Sequence, residues 1–211
     1  MSELAAEKVD VKQFYMRRIH SLLGVFPVSI FLVEHMFANA FILRGPEAYN
    51  GVIHLLRSLP YLVTIEVLFI GLPIFLHAFY GIYITVTGSV NVKRYNYAKN
   101  WFYVLQRVSG LIALAFIGYH IWDFRIASEV FGFEVTYSTV GEAMRIPWKF
   151  WFYVVGLVAT MFHFANGLWL FCITWGITVG KKAQKISGLI WGSAGLVLFL
   201  IALQSMITVA K

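Results

Sequence analysis

LPIFLHAFYGIYI, residues 72–84, sets one histidine, His77, inside an apolar run that extends over about 60–88. A membrane span needs roughly 20 apolar residues, so this run is long enough to cross a bilayer, and to tilt or protrude. An ionisable residue inside such a run is costly and marks function by default. Comparable runs fall at about 20–43, 102–126, 148–179 and 187–209. A single lipid-exposed segment satisfies its own backbone groups only as a helix. The pattern therefore predicts an all-α membrane protein: one integral membrane domain over residues 1–211, built as a bundle of five transmembrane helices.

Composition agrees. The 211 residues are 60% hydrophobic and 13% charged, against about 25% charged in ordinary soluble domains. The net charge of +7 raises nucleic acid as a partner. The cations, however, lie in short clusters between apolar runs rather than on one face or arm, which is the pattern of membrane topology. Cys172 is the only cysteine; within an apolar run it reads as a small packing residue. With no CxxCH motif, covalent c-type haem attachment is excluded, and one cysteine cannot ligate an iron–sulfur cluster. The first apolar run is longer than a signal-peptide core and lacks a clear small-residue cleavage site, so it reads as a retained span.

Lys8, Lys12, Arg17, Arg18, Lys93, Arg94, Lys99, Arg107, Lys181, Lys182 and Lys185 fall on one side of the five spans. Arg44, Arg57, Arg125, Arg145, Lys149 and Lys211 fall on the other. The excess predicts a cytoplasmic N-terminus and an external C-terminus. Trp101, Phe102 and Tyr103, and Trp148, Trp151 and Tyr153, open the third and fourth spans as interfacial aromatic anchors.

Four of the six histidines fall one per helix in spans 1 to 4: His35, His77, His120 and His163, separated by 42, 43 and 43 residues. Span 5 has none. A single such residue could simply hydrogen-bond across helices; four at matching positions point to a shared ligand. Alternating helix direction puts His35 and His120 in the outer half, and His77 and His163 deeper. His35 therefore pairs with His120, and His77 with His163. Each pair can supply two axial imidazoles to a haem, so two haems b stack between helices 1–4, an outer and an inner one. Bis-imidazole ligation leaves no open position for oxygen or substrate and suits electron transfer. Zinc fits less well, because catalytic zinc usually gathers three protein ligands in one place. Gly81 and Gly167, four residues after His77 and His163, and Gly118, two before His120, leave room for a macrocycle edge. Gly188, Gly192 and Gly195 in span 5 read as a packing face.

FYMRRIHSLLGVFP (14–27), EHMFAN (34–39), LPIFLHAFYGIYI (72–84), NWFYVLQRVSG (100–110), YHIWDFRIA (119–127) and FHFANGLWLFCITWGITV (162–179) resemble the dihaem cytochrome b anchor subunits of succinate:menaquinone oxidoreductases, the Gram-positive type of succinate dehydrogenase. The resemblance covers the whole chain. It implies a multi-pass protein of the bacterial plasma membrane, serving the respiratory chain and the tricarboxylic acid cycle. It implies a flavoprotein and an iron–sulfur subunit docked on the cytoplasmic face, with electrons passing through the inner and then the outer haem b to menaquinone. Enzymatic turnover would belong to that complex, since this chain carries no flavin motif and no dicarboxylate site.

Glu66, in span 2 near the level of the outer haem, is a candidate proton relay for the quinone. A desolvated carboxylate can carry a proton, and the resemblance implies a span-2 glutamate in quinone chemistry. Its alternative is an interfacial ion pair with Arg57 or with a loop group. Glu34 must point away from its neighbour His35. Arg17, Arg18, His20, Arg107 and Ser109 are candidate partners for haem propionates or for the docked iron–sulfur subunit, or else plain positive-inside anchors. His54 falls in an external loop and is expected to be neither ligand nor essential. Two other functions remain open. One is a dihaem anchor of a quinol:fumarate reductase or another quinone-linked enzyme. The other is a haem-free transporter or proton channel, for which the 85- and 86-residue spacings of His35–His120 and His77–His163 form a weak internal repeat.

Overall fold

The computed structural model describes residues 11–211; Lys8, one of the cations used to orient the chain, lies outside that range. Among the described residues, five helices are long and apolar enough to cross a membrane: α1 (Val11–Arg44), α3 (Leu62–Thr87), α4 (Ala98–Phe131), α6 (Pro147–Thr174) and α7 (Lys181–Val209). Two shorter helices, α2 (Pro46–Arg57) and α5 (Tyr137–Arg145), lie in the connections before α3 and before α6. The spanning helices begin earlier than hydropathy suggests at α1, α4 and α7, because their polar first turns continue the backbone ladder beyond the apolar run.

Three of the spans depart from regular α geometry. In α1 the ladder is interrupted at Phe26–Pro27, because proline has no N–H to donate. Ser29 Oγ donates to the Gly24 carbonyl at 2.8 Å, giving that carbonyl a partner beside the break. α3 and α4 each contain a wider π turn, over Glu66–Gly71 and Ile121–Ile126. Such turns are rare and frequently sit at functional sites.

α6 is the most buried span, packed between α4 and α7. Its small residues allow close approach. A Cβ on Gly156 would fall 2.2 Å from the Phe116 ring of α4, and a Cβ on Gly195 of α7 would fall 2.8 Å from Ala165. Gly188 faces Trp169, whereas Gly192 faces open space, so the glycine face of α7 packs at two of its three positions. Cys172 is a buried free thiol of α6. α3 is the most exposed span, with Pro73 its one buried residue; Phe69 and Val86 are exposed off the cavity described below and suit lipid.

One end of the bundle is closed by α2 and α5. Ile42, Tyr49, Met144 and Val209 form a shared core there. Asn50 Oδ1 accepts from the Tyr137 amide at 2.8 Å, and Thr136 and Thr139 close a reciprocal cap on α5. At Gly141 the α5 backbone comes so near the end of α7 that a Cβ would lie 2.7 Å from the Val209 carbonyl. At the other end, Arg18 lies over the Trp175 ring at 5.2 Å and Trp169 Nε1 donates to the Gln184 carbonyl at 2.8 Å.

Candidate functional site

A large cavity runs between α1, α3, α4 and α6. It has a volume of about 2040 Å³, and His35, His77, His120 and His163 all line it. Its walls are mostly leucine, isoleucine, valine, phenylalanine and glycine. A site for a drug-sized molecule occupies roughly 300–1,000 Å³, so this volume suits more than one large apolar group.

The histidines meet in pairs. The His35 and His120 ring centres are 5.6 Å apart, with planes at 74°; those of His77 and His163 are 6.1 Å apart, at 83°. Among the described residues, no cluster of three or more His, Cys, Asp or Glu side chains gathers as a metal site. The arrangement is therefore two pairs in one apolar chamber, without a triad.

At the His77–His163 level the supports repeat. His77 Nδ1 donates to the His20 carbonyl at 2.8 Å, and His163 Nδ1 donates to the Gln106 carbonyl at 3.0 Å, each across 57 residues of sequence. A carbonyl only accepts, so Nδ1 carries the proton and Nε2 is left as a bare lone pair. Both rings lie against a glycine. A Cβ on Gly24 would fall 2.5 Å from His77 Cε1, and one on Gly110 would fall 2.8 Å from His163 Cε1. Offset by 86 residues, His20, Gly24, His77 and Gly81 correspond to Gln106, Gly110, His163 and Gly167. Gly81 and Gly167 thus make room for the His20 and Gln106 side chains, 3.2 and 3.3 Å from a would-be Cβ, while a Cβ on Gly118 would meet open space. Gln106 adds two more ties: its Nε2 donates to the His163 carbonyl at 3.1 Å, and its Oε1 accepts from Asn166 Nδ2 at 2.7 Å. Sequence reasoning missed Gln106, Gly24 and Gly110. The 86-residue offset, carried down to the glycines, is the signal that finds them.

The His35–His120 level is supported differently. Asn39 Nδ2 donates to the His35 carbonyl at 2.8 Å and lies 3.4 Å from His35 Nε2. His120 packs among Phe116, Phe124 and Tyr153, with its Nδ1 3.4 Å from the Tyr153 hydroxyl.

His20 stacks on His77, ring centres 4.1 Å apart at 8°. Arg17, Arg18 and Arg107 line the cavity at this end. The Arg107 guanidinium lies over the Tyr103 ring at 3.4 Å and donates through Nη1 to the Tyr103 carbonyl at 3.1 Å, while its buried Nε has no acceptor. Ser109 is buried off the cavity wall; its hydroxyl donates to the Gln106 carbonyl at 3.2 Å. Glu34 is exposed at the cavity rim, and His54 is exposed on α2 away from it.

Glu66 sits at the start of the α3 π turn. It is bound to Arg125, in the α4 π turn, by Nε at 3.0 and 3.1 Å and by Nη2 at 2.9 Å. Arg125 also bonds Glu129. Its ion-pair partner is thus Arg125, while Arg57 bonds Ser128 Oγ at 3.5 Å. Arg57, Tyr61, Leu62, Glu66, Arg125 and Glu129 line a side pocket of about 550 Å³.

A five-helix membrane protein organised around paired, helix-borne histidines is the class that fold and cavity define. Residues 89–202 match the family of succinate dehydrogenase/fumarate reductase transmembrane subunits. The chain is also 47% identical, over 176 residues, to the succinate dehydrogenase cytochrome b558 subunit of Bacillus subtilis (strain 168), covering 83% of this chain and 87% of that protein. The chain belongs to this family of succinate dehydrogenase cytochrome b membrane subunits.

Proposed function

We propose that this chain is the dihaem membrane anchor of a bacterial succinate dehydrogenase, a single domain set in the plasma membrane with its N-terminus cytoplasmic. The observation that carries the reading is the pairing of four span-borne histidines inside one apolar cavity. The relative from Bacillus subtilis is named a cytochrome b558, which speaks for haem b. Two imidazoles bonded on opposite sides of one first-row metal ion, at about 2 Å per bond, hold their ring centres roughly 6 Å apart. The separations of 5.6 and 6.1 Å suit one haem on His35 and His120 and a second on His77 and His163. A haem held by such a pair would supply one-electron transfer.

The residues of the chain have clear tasks toward these groups. The His20 and Gln106 carbonyls hold the His77 and His163 rings with Nε2 bare, the form a metal requires. The apolar walls exclude water. Arg107, with a buried Nε lacking an acceptor, and Arg17 and Arg18 beside it are suited to carboxylates at the cytoplasmic end. His20 stacks on a ligand ring and supports it there, and Ser109 acts through Gln106.

A flavoprotein and an iron–sulfur subunit dock on the cytoplasmic face, and menaquinone is served at the opposite end. The pocket beside Glu66 is the place for the quinone head group. Arg125 holds the Glu66 carboxylate at its rim, and the two π turns bring that pair together. Glu66→Gln keeps both haems and slows quinone turnover, read as succinate-driven menaquinone reduction; unchanged turnover removes Glu66 from the mechanism. The partner assignment is tested by affinity purification of the tagged chain from its native membrane. Succinate dehydrogenase activity with flavin and iron–sulfur signals in the eluate is the expected result. Recovery with soluble subunits of a different quinone-linked enzyme would contradict it.

A further inference from the structure

Beyond His120 a chain of polar groups continues away from the cavity to an ion pair; among the described residues the carbonyl supports of His77 and His163 lead to none. The Tyr153 hydroxyl lies 3.4 Å from His120 Nδ1 and donates to Asp123 Oδ2 at 3.3 Å. Asp123 Oδ1 in turn accepts from Lys149 Nζ at 2.6 Å. Asp123 and Lys149 are largely shielded, at 13% and 17% side-chain exposure, and Tyr153 is buried. An ionised carboxylate only accepts and a phenol has one proton to give. Tyr153 therefore spends its proton on Asp123, and its oxygen lone pair is left to accept from His120 Nδ1–H. Asp123 comes within reach because it sits in the π turn that begins one residue after His120.

We propose that Tyr153, Asp123 and Lys149 are positioning residues for His120, holding its Nδ1–H through a phenol tied to a paired carboxylate so that Nε2 is presented bare. This rests on the two-haem reading above. The inner ligands His77 and His163 lean on neutral backbone carbonyls, whereas His120 leans on a carboxylate through one intervening hydroxyl. Hydrogen bonding toward a carboxylate raises the basicity of a ligating imidazole, and a more basic ligand favours ferric over ferrous iron. The chain thus tunes one haem and leaves the other alone.

The test is an optical redox titration of the intact purified complex, with haem quantified, for the wild type and for His120→Ala, Tyr153→Phe and Asp123→Asn. Two haems in the wild type and one in His120→Ala establish the underlying reading and mark which wave belongs to His120; any other count sinks that reading, whatever the remaining variants do. With it established, Asp123→Asn and Tyr153→Phe are expected to keep both haems and to move that wave alone to higher potential. They should also alter one of the two ferric low-spin electron paramagnetic resonance signals. If Tyr153→Phe costs haem, Asp123→Asn decides. No shift, or an equal shift of both waves, overturns the proposal.

Discussion

Alanine at His163 halves the haem content, from two per chain to one, and alanine at His77 removes the same haem. Alanine at His35 or at His120 removes the other. Each expectation follows from the pairing inside the cavity: His77 lies beside His163 and His35 beside His120. A haem held through one axial imidazole in an apolar site loses the bond that fixes its plane, while the second pair keeps its own helices and walls. Haem extraction and quantification against protein, with reduced-minus-oxidised spectra to identify the surviving component, reads the outcome. Loss of the same single haem in all four variants would contradict the pairing.

Two glycines are expected to matter almost as much as the ligands, although neither carries a functional group. Gly110→Ala places a methyl 2.8 Å from His163 Cε1 and 3.1 Å from its Nδ1; Gly24→Ala places one 2.5 Å from His77 Cε1. Either ring must move, and moving it stretches the Nδ1 bond to Gln106 or His20 that keeps Nε2 bare. Overpacking of this kind costs about 1–3 kcal/mol, so inner-haem affinity falls roughly 5- to 150-fold. Gly192→Ala in α7, which faces open space, serves as the control and should retain both haems. Reconstitution of each variant with graded haem, followed by difference spectra, measures the change. Full inner-haem occupancy in both variants at limiting haem would show that the rings are not held where the structure has them.

The five spans and the pairing of histidines across them were legible in the sequence because both depend on long-range periodicity. Apolar runs of bilayer length can form only helices there, and spacings of 85 and 86 residues, two spans along the chain, return His120 to the level of His35 and His163 to that of His77. The short helices α2 and α5 were not, because their amphipathic stretches are too brief and too polar for a hydropathy reading to separate from loop. Nor was the partner of Glu66. Arg57 is nearer in sequence, but Arg125 reaches it through π turns in α3 and α4, and no residue pattern announces a π turn. The Gln106 clamp was hidden for a different reason. Its critical atom is a backbone carbonyl, which any residue type supplies, so only the glycine that lets His163 approach leaves a trace. The Tyr153–Asp123–Lys149 chain was half visible: Tyr153 read as an interfacial aromatic, and its role beside His120 emerges only once α4 and α6 are packed. The same repeat that a transporter reading would use coincides with two equivalent ligand supports, which favours haem over a proton pathway.

The most direct measurement is a dithionite-reduced minus oxidised visible spectrum of the purified protein, expressed with ample haem, with haem quantified against protein. Two b-type haems per chain is the expected result. A value near zero would contradict the account, and would mean that the four histidines serve a haem-free pathway across the membrane.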